Sequence, residues 1–466
     1  MTINKPGIPS GTRDFGPVEV AKRNYIIEAI RKVYTLYGYQ PIETPAMENL
    51  STLTGKYGLE GDKLLFKILN SGDFLKDADA EILQEKSAQK LLPVIAEKGL
   101  RYDLTVPFAR YVVMNKHLIT FPFKRYQIQS VWRADRPQKG RYREFYQCDA
   151  DVIGSKSLVL DAELVQIIQD VFSQLNVSVT IRLNNRKILD GISEYIGETE
   201  KNLFLTVAID KLDKIGIEGV EKELSANGFN AAQIEKIISV IAIDGTTAEK
   251  ISALEKIFTG EKGKEGLKEL KELFSYIPAT KNSAIQIQFD LTLARGLSYY
   301  TGTIYEVIAN DVKIGSILGG GRYDDLTGIF GLPDTSGVGV SFGLDRIYDV
   351  LNELNLFPAS ALQGPDVLLI PMEDSAIKKT MEYAMELHAN NIAAELYPET
   401  ANKLGKKFKY AEAKKITYAL LIGEKEIKEN VVACKNLITG EQENFSIAQF
   451  IRLLQNGISD FIDISE

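Results

Sequence analysis

The chain has 466 residues, more than one ordinary domain needs, and this length favours about three domains. Its apolar share of 45% and charged share of 25% are typical of a globular protein, and the net charge of −8 counts against a general nucleic-acid binder. Since no apolar run of about 18 residues and no signal peptide occurs, we expect no transmembrane helix and a cytoplasmic location.

The N-terminal part of the chain predicts one long helix. Apolar residues recur on a single helical face at Ile26, Ile30, Val33 and Tyr37. Gly38 is a natural helix stop. Because residues before proline avoid the helical region, Pro41 and Pro45 predict an extended segment after it.

The next segments predict an insertion and a hairpin. Residues 71–98 are polar and charged in their first half, which favours a surface insertion with a helix near Ile82–Leu92. Alternating and β-branched residues predict antiparallel strands at Arg125–Val131 and Phe145–Ile153, joined by a long charged loop.

The second half of the core begins with helices and returns to strands. Residues 187–278 carry lysine and glutamate at helical spacing and predict a helical insertion domain. Strand texture returns at Ile285–Leu293, and two glycine-rich segments follow at Leu318–Tyr323 and Gly337–Gly343. A helix should begin near Leu344.

The C-terminal part predicts a small α/β domain beyond a boundary near Asn355–Pro365. Strands are expected at Val367–Pro371, Ile392–Tyr397 and Tyr418–Ile422, with helices at Ser375–Ala389 and Leu404–Lys415. The expected domains are a core of residues 1–186 and 279–355, an insertion of residues 187–278, and a C-terminal domain of residues 365–466.

The predicted hairpin carries the strongest chemical signal. Five basic residues lie in its loop, interleaved with aromatic side chains: Arg133, Arg136, Lys139, Arg141 and Arg143. Guanidinium groups bind phosphate oxygens and aromatic rings stack on bases, so the pattern favours a nucleotide or nucleic-acid site. A solvated charged loop is the alternative.

Arg295 lies in the apolar segment Leu293–Glu306, beside Tyr299 and Tyr300. A buried arginine needs an anionic partner. That partner is either a structural carboxylate, such as Asp290 or Glu306, or a ligand phosphate, and the pattern does not decide between them.

Two further segments have both a functional and a structural interpretation. The glycines of Gly319–Gly321 allow close approach of a ligand or form a tight turn, and the small residues of Gly337–Arg346 admit a flat ring or serve strand packing. Asp103 and Thr105 should share a face of an extended segment, where they bind an ammonium group or cap a turn.

Cysteine and histidine are scarce. Cys148 and Cys434 form no CxxC pair, and His117 and His388 are too few for a histidine-rich site. We therefore expect no tightly bound metal and no disulfide.

Together these motifs resemble histidyl-tRNA synthetase, a family of class II aminoacyl-tRNA synthetases, over nearly the whole chain. The segments PSGTRDF, ARGLSYYTGTIYE and GGGRYD carry the resemblance, and RYDLTVPFARY and GRYREFYQCD are most similar to its eukaryotic-type branch. Pro45, the stretch from Arg133 to Phe145, and Gly337–Arg346 match the three class signatures. The resemblance implies an α+β fold with an antiparallel sheet flanked by helices, a helical insertion domain and a C-terminal α/β anticodon-binding domain.

The resemblance also implies a site. For ATP it implies Arg133 and Arg295 as catalytic residues at the α-phosphate, with Arg141 at the terminal phosphates and Phe145 and Arg346 on the two faces of adenine. For histidine it implies an amino-group site at Asp103, Thr105 and Gln147, an imidazole site at Asp151 and Tyr300, and a pocket that also includes Leu104, Tyr299 and Tyr323.

By this resemblance the chain activates histidine with ATP and Mg²⁺, transfers it to tRNA(His), and works as a homodimer. Lysines in Lys403–Lys415 would then face the anticodon stem or lie on a solvated helix. The alternative is a non-catalytic regulatory relative that serves histidine biosynthesis. Two departures stand out: Ser298 replaces the family's usual Asp, and the 71–98 insertion is longer than expected.

Overall fold

The computed structural model describes residues 6–280, 282–294, 299–362 and 364–456. Arg295 and Ser298, two positions singled out in the sequence, lie outside the described residues. The chain divides into two compact units, Met1–Phe357 and Pro358–Glu466.

The first unit mixes strands and helices. Its strands are β1 (Gln40–Pro41), β2 (Met47–Asn49), β3 (Lys67–Ile68), β4 (Lys98–Leu100), β5 (Phe123–Trp132), β6 (Glu144–Ile153), β7 (Val179–Asn185), β8 (Ile285–Phe289), β9 (Thr303–Ala309), β10 (Leu318–Tyr323) and β11 (Gly337–Gly343). Its helices are α1 (Pro17–Leu36), α2 (Leu50–Leu53), α3 (Gly58–Lys63), α4 (Ala80–Glu85), α5 (Ala88–Ile95), α6 (Thr105–Asn115), α7 (Val159–Gln174), α8 (Arg186–Ile196), α9 (Asn202–Asp210), α10 (Leu212–Ala226), α11 (Ala231–Ile241), α12 (Thr247–Ile257), α13 (Glu261–Tyr276) and α14 (Leu344–Glu353).

Over the described ranges, eight strands form the central sheet, in the order β1-β5-β6-β11-β10-β9-β7-β8. Its neighbours are antiparallel except for the edge pairs β1–β5 and β7–β8. The predicted hairpin is confirmed as β5 and β6, which pair antiparallel along their whole length. This sheet and its helices confirm the predicted α+β class.

One face of the central sheet is apolar and covered by helices. Cys148, Ala150 and Val152 of β6 point into a buried core that also contains Ile26 and Ile30 of α1. The predicted first helix is confirmed, although Tyr37 lies at its C-terminal cap and is only partly buried. Because side chains alternate along a strand, the residues between the apolar ones face the opposite side.

The part of the chain between α1 and α6 forms a small second sheet. Its strands are ordered β2-β4-β3. The single helix expected near Ile82–Leu92 is wrong, because α4 ends at Glu85. Its C-cap Lys86 is left-handed, with a φ of 51°, and α5 begins separately with Ser87 as its N-cap. A left-handed residue cannot continue a right-handed helix.

The predicted helical region after β7 is confirmed as α8 to α13, which share an apolar core with Phe289 of β8 and the residues that follow it. Glycines let α8 and α13 approach closely: a Cβ on Gly191 would lie 2.6 Å from the Cα of Gly263. Among the helices described, none is long and apolar enough to cross a membrane.

The second unit is a small α/β fold, as predicted. Its strands are β12 (Val367–Pro371), β13 (Ala394–Leu396), β14 (Tyr418–Ile422), β15 (Val432–Asn436) and β16 (Gln442–Phe445), and its helices are α15 (Ile377–Ala389), α16 (Leu404–Ala413), α17 (Glu424–Glu429) and α18 (Ile447–Gln455). The sheet order is β13-β12-β14-β15-β16, with apolar clusters on both faces.

The α8–α13 contact predicts that Gly191→Ala destabilises the protein. The added methyl group meets backbone of α13, and overpacking of this kind costs about 1–3 kcal/mol. The midpoint of urea denaturation should fall. In Gly405→Ala, where nothing lies within 4 Å of the added Cβ on α16, the midpoint should hold or rise. A Gly191→Ala protein as stable as the parent would show that the two helices separate at no cost.

Candidate active site

The opposite face of the central sheet carries a row of polar side chains on β6. Gln147, Asp149 and Asp151 alternate with the apolar residues that face the helices. Residues paired across antiparallel strands share a face. Their partners on β5 are, in the same order, Gln129, Gln127 and Arg125.

Glycines on the neighbouring strands make room above this row. A Cβ on Gly339 of β11 would lie 2.0 Å from Asp151 Oδ1, and one on Gly321 of β10 would lie 2.7 Å from the Tyr300 ring. The three consecutive glycines therefore lie in a strand and not in a tight turn, and their lack of side chains admits close neighbours.

Arg125 of β5 is the cation that faces the carboxylates of this row, and its side chain is completely buried. Its Nη2 lies 2.7 Å from Asp151 Oδ2 and 3.9 Å from Asp149 Oδ2, and Asp151 Oδ1 accepts a hydrogen bond of 2.8 Å from the Tyr323 hydroxyl. Burial raises the pKa of Asp151, whereas Arg125 opposes the rise. Sequence analysis predicted Asp151 and Tyr323 but missed Arg125, which the hairpin register would have placed opposite Asp151.

A hydrogen-bonded chain joins the remaining members of the row. The Gln147 amide donates to Ser341 Oγ at 2.9 Å, and the Ser341 side chain is hydrogen-bonded to Asp149. Three buried acceptor atoms of the row have no hydrogen-bond partner among the described residues: Gln147 Oε1, Asp149 Oδ1 and Asp151 Oδ2, the last of which forms the ion pair with Arg125. Asp149 was missed in the sequence, although it lies two residues from both Gln147 and Asp151 on a predicted strand.

Asp103 lies at the start of a helix and not in the extended segment expected from the sequence. Helix α6 begins at Thr105, because Asp103 Oδ1 accepts the Val106 N–H at 3.1 Å and so caps the first turn. Its two oxygens also accept hydrogen bonds from Tyr57 at 3.0 Å and Tyr299 at 3.1 Å. Burial raises the pKa of Asp103, and these hydrogen bonds and Arg133 oppose the rise.

Tyr57 is a third residue of the site that was not predicted from the sequence. Besides its hydrogen bond to Asp103, its ring packs on that of Tyr102 with centroids 4.5 Å apart. It lies in a charged surface segment with no helical or strand periodicity, so no local pattern connects it to Asp103.

Aromatic rings enclose the space beside Asp103 and Asp151. Tyr299 packs edge-on against Tyr300 at 5.0 Å and against Tyr323 at 6.1 Å. The structure therefore brings together the predicted residues of the histidine site. Leu104 is buried beside Asp103, and the Thr105 side chain is hydrogen-bonded to Tyr299.

Arg133 lies between two aromatic rings at the start of the hairpin loop. Its guanidinium carbon is 4.2 Å from the Tyr102 centroid and 5.1 Å from the Phe145 centroid, and its Nε donates to the Tyr102 carbonyl at 3.0 Å. Stacking on two rings fixes the direction of the charge. Arg133 and Phe145, predicted together, are thus adjacent.

The two remaining predicted arginines lie toward the tip of the loop. Arg141 is half exposed, and its Nε is 3.7 Å from Asp135. Arg346, in the first turn of α14, donates to the carbonyls of Gly140 and Ser316. The bond to Gly140 attaches the tip of the loop to α14, and the bond to Ser316 attaches α14 to the segment before β10.

The two carboxylates considered as partners of Arg295, Asp290 and Glu306, both form ion pairs with Arg182. Arg182 Nη1 lies 3.1 Å from Glu306, and Arg182 Nε contacts Asp290. Arg295 itself lies outside the described residues.

Potential metal ligands are scattered. Within the described ranges, no group of three or more His, Cys, Asp or Glu side chains could hold a metal ion.

An antiparallel sheet with an acidic, aromatic and arginine-lined face, followed by an α/β unit, agrees with the aminoacyl-tRNA synthetase architecture that the sequence resemblance implied. A family model described as histidyl-tRNA synthetase matches residues 88–347, and one described as an anticodon binding domain matches residues 366–457. With the relatives described next, these matches show that the chain belongs to the histidyl-tRNA synthetase family.

Relatives of the chain are similar over almost their full length. A histidine–tRNA ligase of Phocaeicola vulgatus is 55% identical, covering 94% of this chain and 96% of its own, and one of Bacteroides fragilis is 54% identical, covering 97% and 99%. The crystal structure of histidyl-tRNA synthetase from Nostoc sp. PCC 7120 is 30% identical, with a TM-score of 0.81 and coverage of 98% and 100%. These relatives are bacterial, so the comparisons give no support to the eukaryotic-type branch suggested by two motifs.

The contact between Gly339 and Asp151 predicts that Gly339→Ala weakens histidine binding. The methyl group must displace the Asp151 carboxylate, and we expect the Kd for histidine, measured by calorimetry without ATP, to rise by about tenfold or more. Gly319→Ala is the matched control on β10, where nothing lies within 4 Å of the added Cβ. Equal Kd values for the two variants would contradict a role of Asp151 in the pocket.

Proposed function

We propose that the chain joins histidine to tRNA(His) at the polar face of the central sheet, using ATP. The observation that supports this most directly is a set of three buried acceptor atoms without a hydrogen-bond donor in the described chain, Gln147 Oε1, Asp149 Oδ1 and Asp151 Oδ2. Unpaired buried acceptors are costly, and a ligand rich in N–H groups removes that cost. Histidine offers an ammonium group and a ring N–H.

In this proposal, Asp103, Thr105 and Gln147 hold the ammonium group of histidine. Asp151 and Tyr300 hold the imidazole, and Tyr299, Tyr323 and Leu104 line the pocket. A site built on such hydrogen bonds rejects analogues that lack the donor by roughly 10⁴–10⁵. Tyr57 and Arg125 hold Asp103 and Asp151 in place, since each contacts one of these carboxylates directly.

ATP binds along the hairpin in this proposal. The histidine carboxylate attacks the α-phosphorus, and Arg133 and Arg295 stabilise the negative charge that develops there. Phe145 and Arg346 hold the two faces of adenine, and Arg141 reaches the terminal phosphates. The stacking of Arg133 on Tyr102 and Phe145 supports its part, because a cation fixed before the reaction needs no reorganisation during it.

The histidyl group then passes from the adenylate to the 3′ end of the tRNA. Mg²⁺ enters bound to the phosphates of ATP, as part of the substrate, because the described acidic residues offer no cage for an ion of its own. We further propose a cytoplasmic homodimer in which residues 187–278 form an insertion domain and residues 365–466 bind the tRNA.

Histidine-dependent exchange between ATP and pyrophosphate tests this function. Arg133→Ala and Arg295→Ala should each lower the exchange rate by roughly 10²–10³, or about 3–4 kcal/mol of barrier. Arg136→Ala is the matched control, an exposed arginine of the same loop, and should keep the parent rate. No exchange by the parent enzyme would favour the regulatory alternative, and near-parent exchange by Arg133→Ala would refute its role.

Lysines of α16 supply a test of tRNA binding. Lys407 is buried, and its ammonium group donates to the carbonyls of Pro371 and Thr400 at 3.1 and 3.2 Å, so it is a structural residue. Lys403, Lys406 and Lys409 are exposed.

Replacing those three exposed lysines with glutamine should lower kcat/KM for tRNA by about tenfold or more, because contacts to phosphates dominate such affinities. The pyrophosphate exchange rate should not change, since that step needs no tRNA. Lys407→Gln should instead lower thermal stability. If the triple variant is charged with parent kcat/KM, α16 is merely a solvated helix.

A further inference from the structure

The ion cluster under the imidazole pocket has more negative than positive charge. Among the side chains that the structure describes, Asp149 and Asp151 form ion pairs with one guanidinium, that of Arg125, and all three side chains are at most 3% exposed. When both carboxylates are ionised, one negative charge is in excess. A buried charge without a partner is unfavourable by several kcal/mol, so the cluster favours the uptake of one positive charge.

The excess charge belongs to Asp149. Arg125 contacts Asp151 at 2.7 Å but is 3.9 Å from Asp149, beyond hydrogen-bond distance. Asp149 is bound through Ser341, a neutral group, and its Oδ1 has no hydrogen-bond partner in the described parts of the chain. A donor or a proton at Oδ1 would complete the cluster.

Other groups act on Asp149 without cancelling this excess. Those whose charge or ionisation is felt by the pair are Arg101, Asp103, Tyr34, Tyr39, Cys148, Tyr300 and Tyr323. Burial raises the pKa values of the phenols and of the thiol, which keeps them neutral. Arg101 has Glu48 as its strongest charged neighbour, and Asp103 adds negative charge.

We propose that Asp149 is a further residue of the histidine pocket, and that it makes the binding of histidine take up one proton from solvent. The inference rests on the proposed function, in which Asp151 holds the imidazole ring. The ring has a nitrogen with a lone pair and a nitrogen with a proton, so it can share an added proton with a carboxylate. No covalent bond forms. The added proton brings the net charge of the imidazole ring, Asp149, Asp151 and Arg125, taken together, to zero.

The sign of the pH dependence follows from this linkage. In the free enzyme, burial raises the pKa of Asp149 to about 7, with Arg125 opposing the rise. Above that pH the free cluster has lost its proton, while the complex retains it. Histidine binding therefore weakens as the pH rises, by up to about tenfold per pH unit for one proton.

Calorimetry with the full-length enzyme and histidine alone, without ATP, tests the proposal. Titrations at about pH 8 in phosphate and in Tris, two buffers with different ionisation enthalpies, count the protons taken up. We expect close to one proton for the parent enzyme and close to none for Asp149→Asn. Between about pH 7.5 and 8.5 the parent Kd should rise by about 5–10-fold more than that of Asp149→Asn.

Asp149→Asn keeps the size of the side chain and an oxygen that can bond to Ser341, and Ser341→Ala serves as a second variant that keeps the charge. Ser341→Ala should still take up the proton. Binding with the same enthalpy in both buffers, or uptake that persists in Asp149→Asn, would overturn the proposal. Failure of the parent enzyme to bind histidine at all would instead contradict the proposed function.

Discussion

The alternation of side chains along β6 is the constraint on which the rest of the first unit depends. One row, Cys148, Ala150 and Val152, is buried against helices, and the other row carries Gln147, Asp149 and Asp151. A shift of register by one residue would exchange the rows and bury the carboxylates in the apolar core. The packing of α1 and α7 against the sheet therefore also fixes the position of the candidate site.

Placing carboxylates on a central strand creates two requirements, and the neighbouring strands meet both. A buried carboxylate needs a cation, and β5 supplies Arg125 directly opposite Asp151. It also needs space, and β11 supplies Gly339 at the facing position. The conformational freedom of glycine is not what the site uses here, because Gly339 lies in a regular strand. Its lack of a Cβ is the relevant property.

Local patterns predicted the elements well and the contacts between them poorly. The strands Val367–Pro371 and Tyr418–Ile422 have the expected bounds, since each is a continuous apolar run. Arg125 and Tyr57 were missed because their importance comes from partners that are 26 and 46 residues away. In the sequence Lys407 could not be told apart from its exposed lysine neighbours, although its side chain is buried and donates hydrogen bonds to two backbone carbonyls. Such contacts depend on the tertiary fold, which periodicity does not describe.

The family resemblance implied most residues of the proposed site, but each residue was matched separately to a position in this sequence. The pocket works as a set of charges, and Asp149 matters only when it is counted together with Asp151 and Arg125. The net charge of this cluster does not follow from the sequence motifs, because strand pairing, and not a motif, places Arg125 in the cluster.

The segment Tyr102-Asp103 connects the two halves of the proposed reaction. Asp103 faces the amino-acid pocket, while the preceding Tyr102 holds Arg133 through both its ring and its carbonyl oxygen. The proposed acceptor for the ammonium group and the proposed cation for the α-phosphate are therefore separated by one peptide unit and one side chain. Since a trans peptide is rigid, the relative position of the two substrates is set by local backbone geometry. Tyr57 reinforces this arrangement, because it bonds to Asp103 and stacks on Tyr102 at the same time. Precise positioning of this kind accounts for a large part of catalysis when little proton transfer is needed.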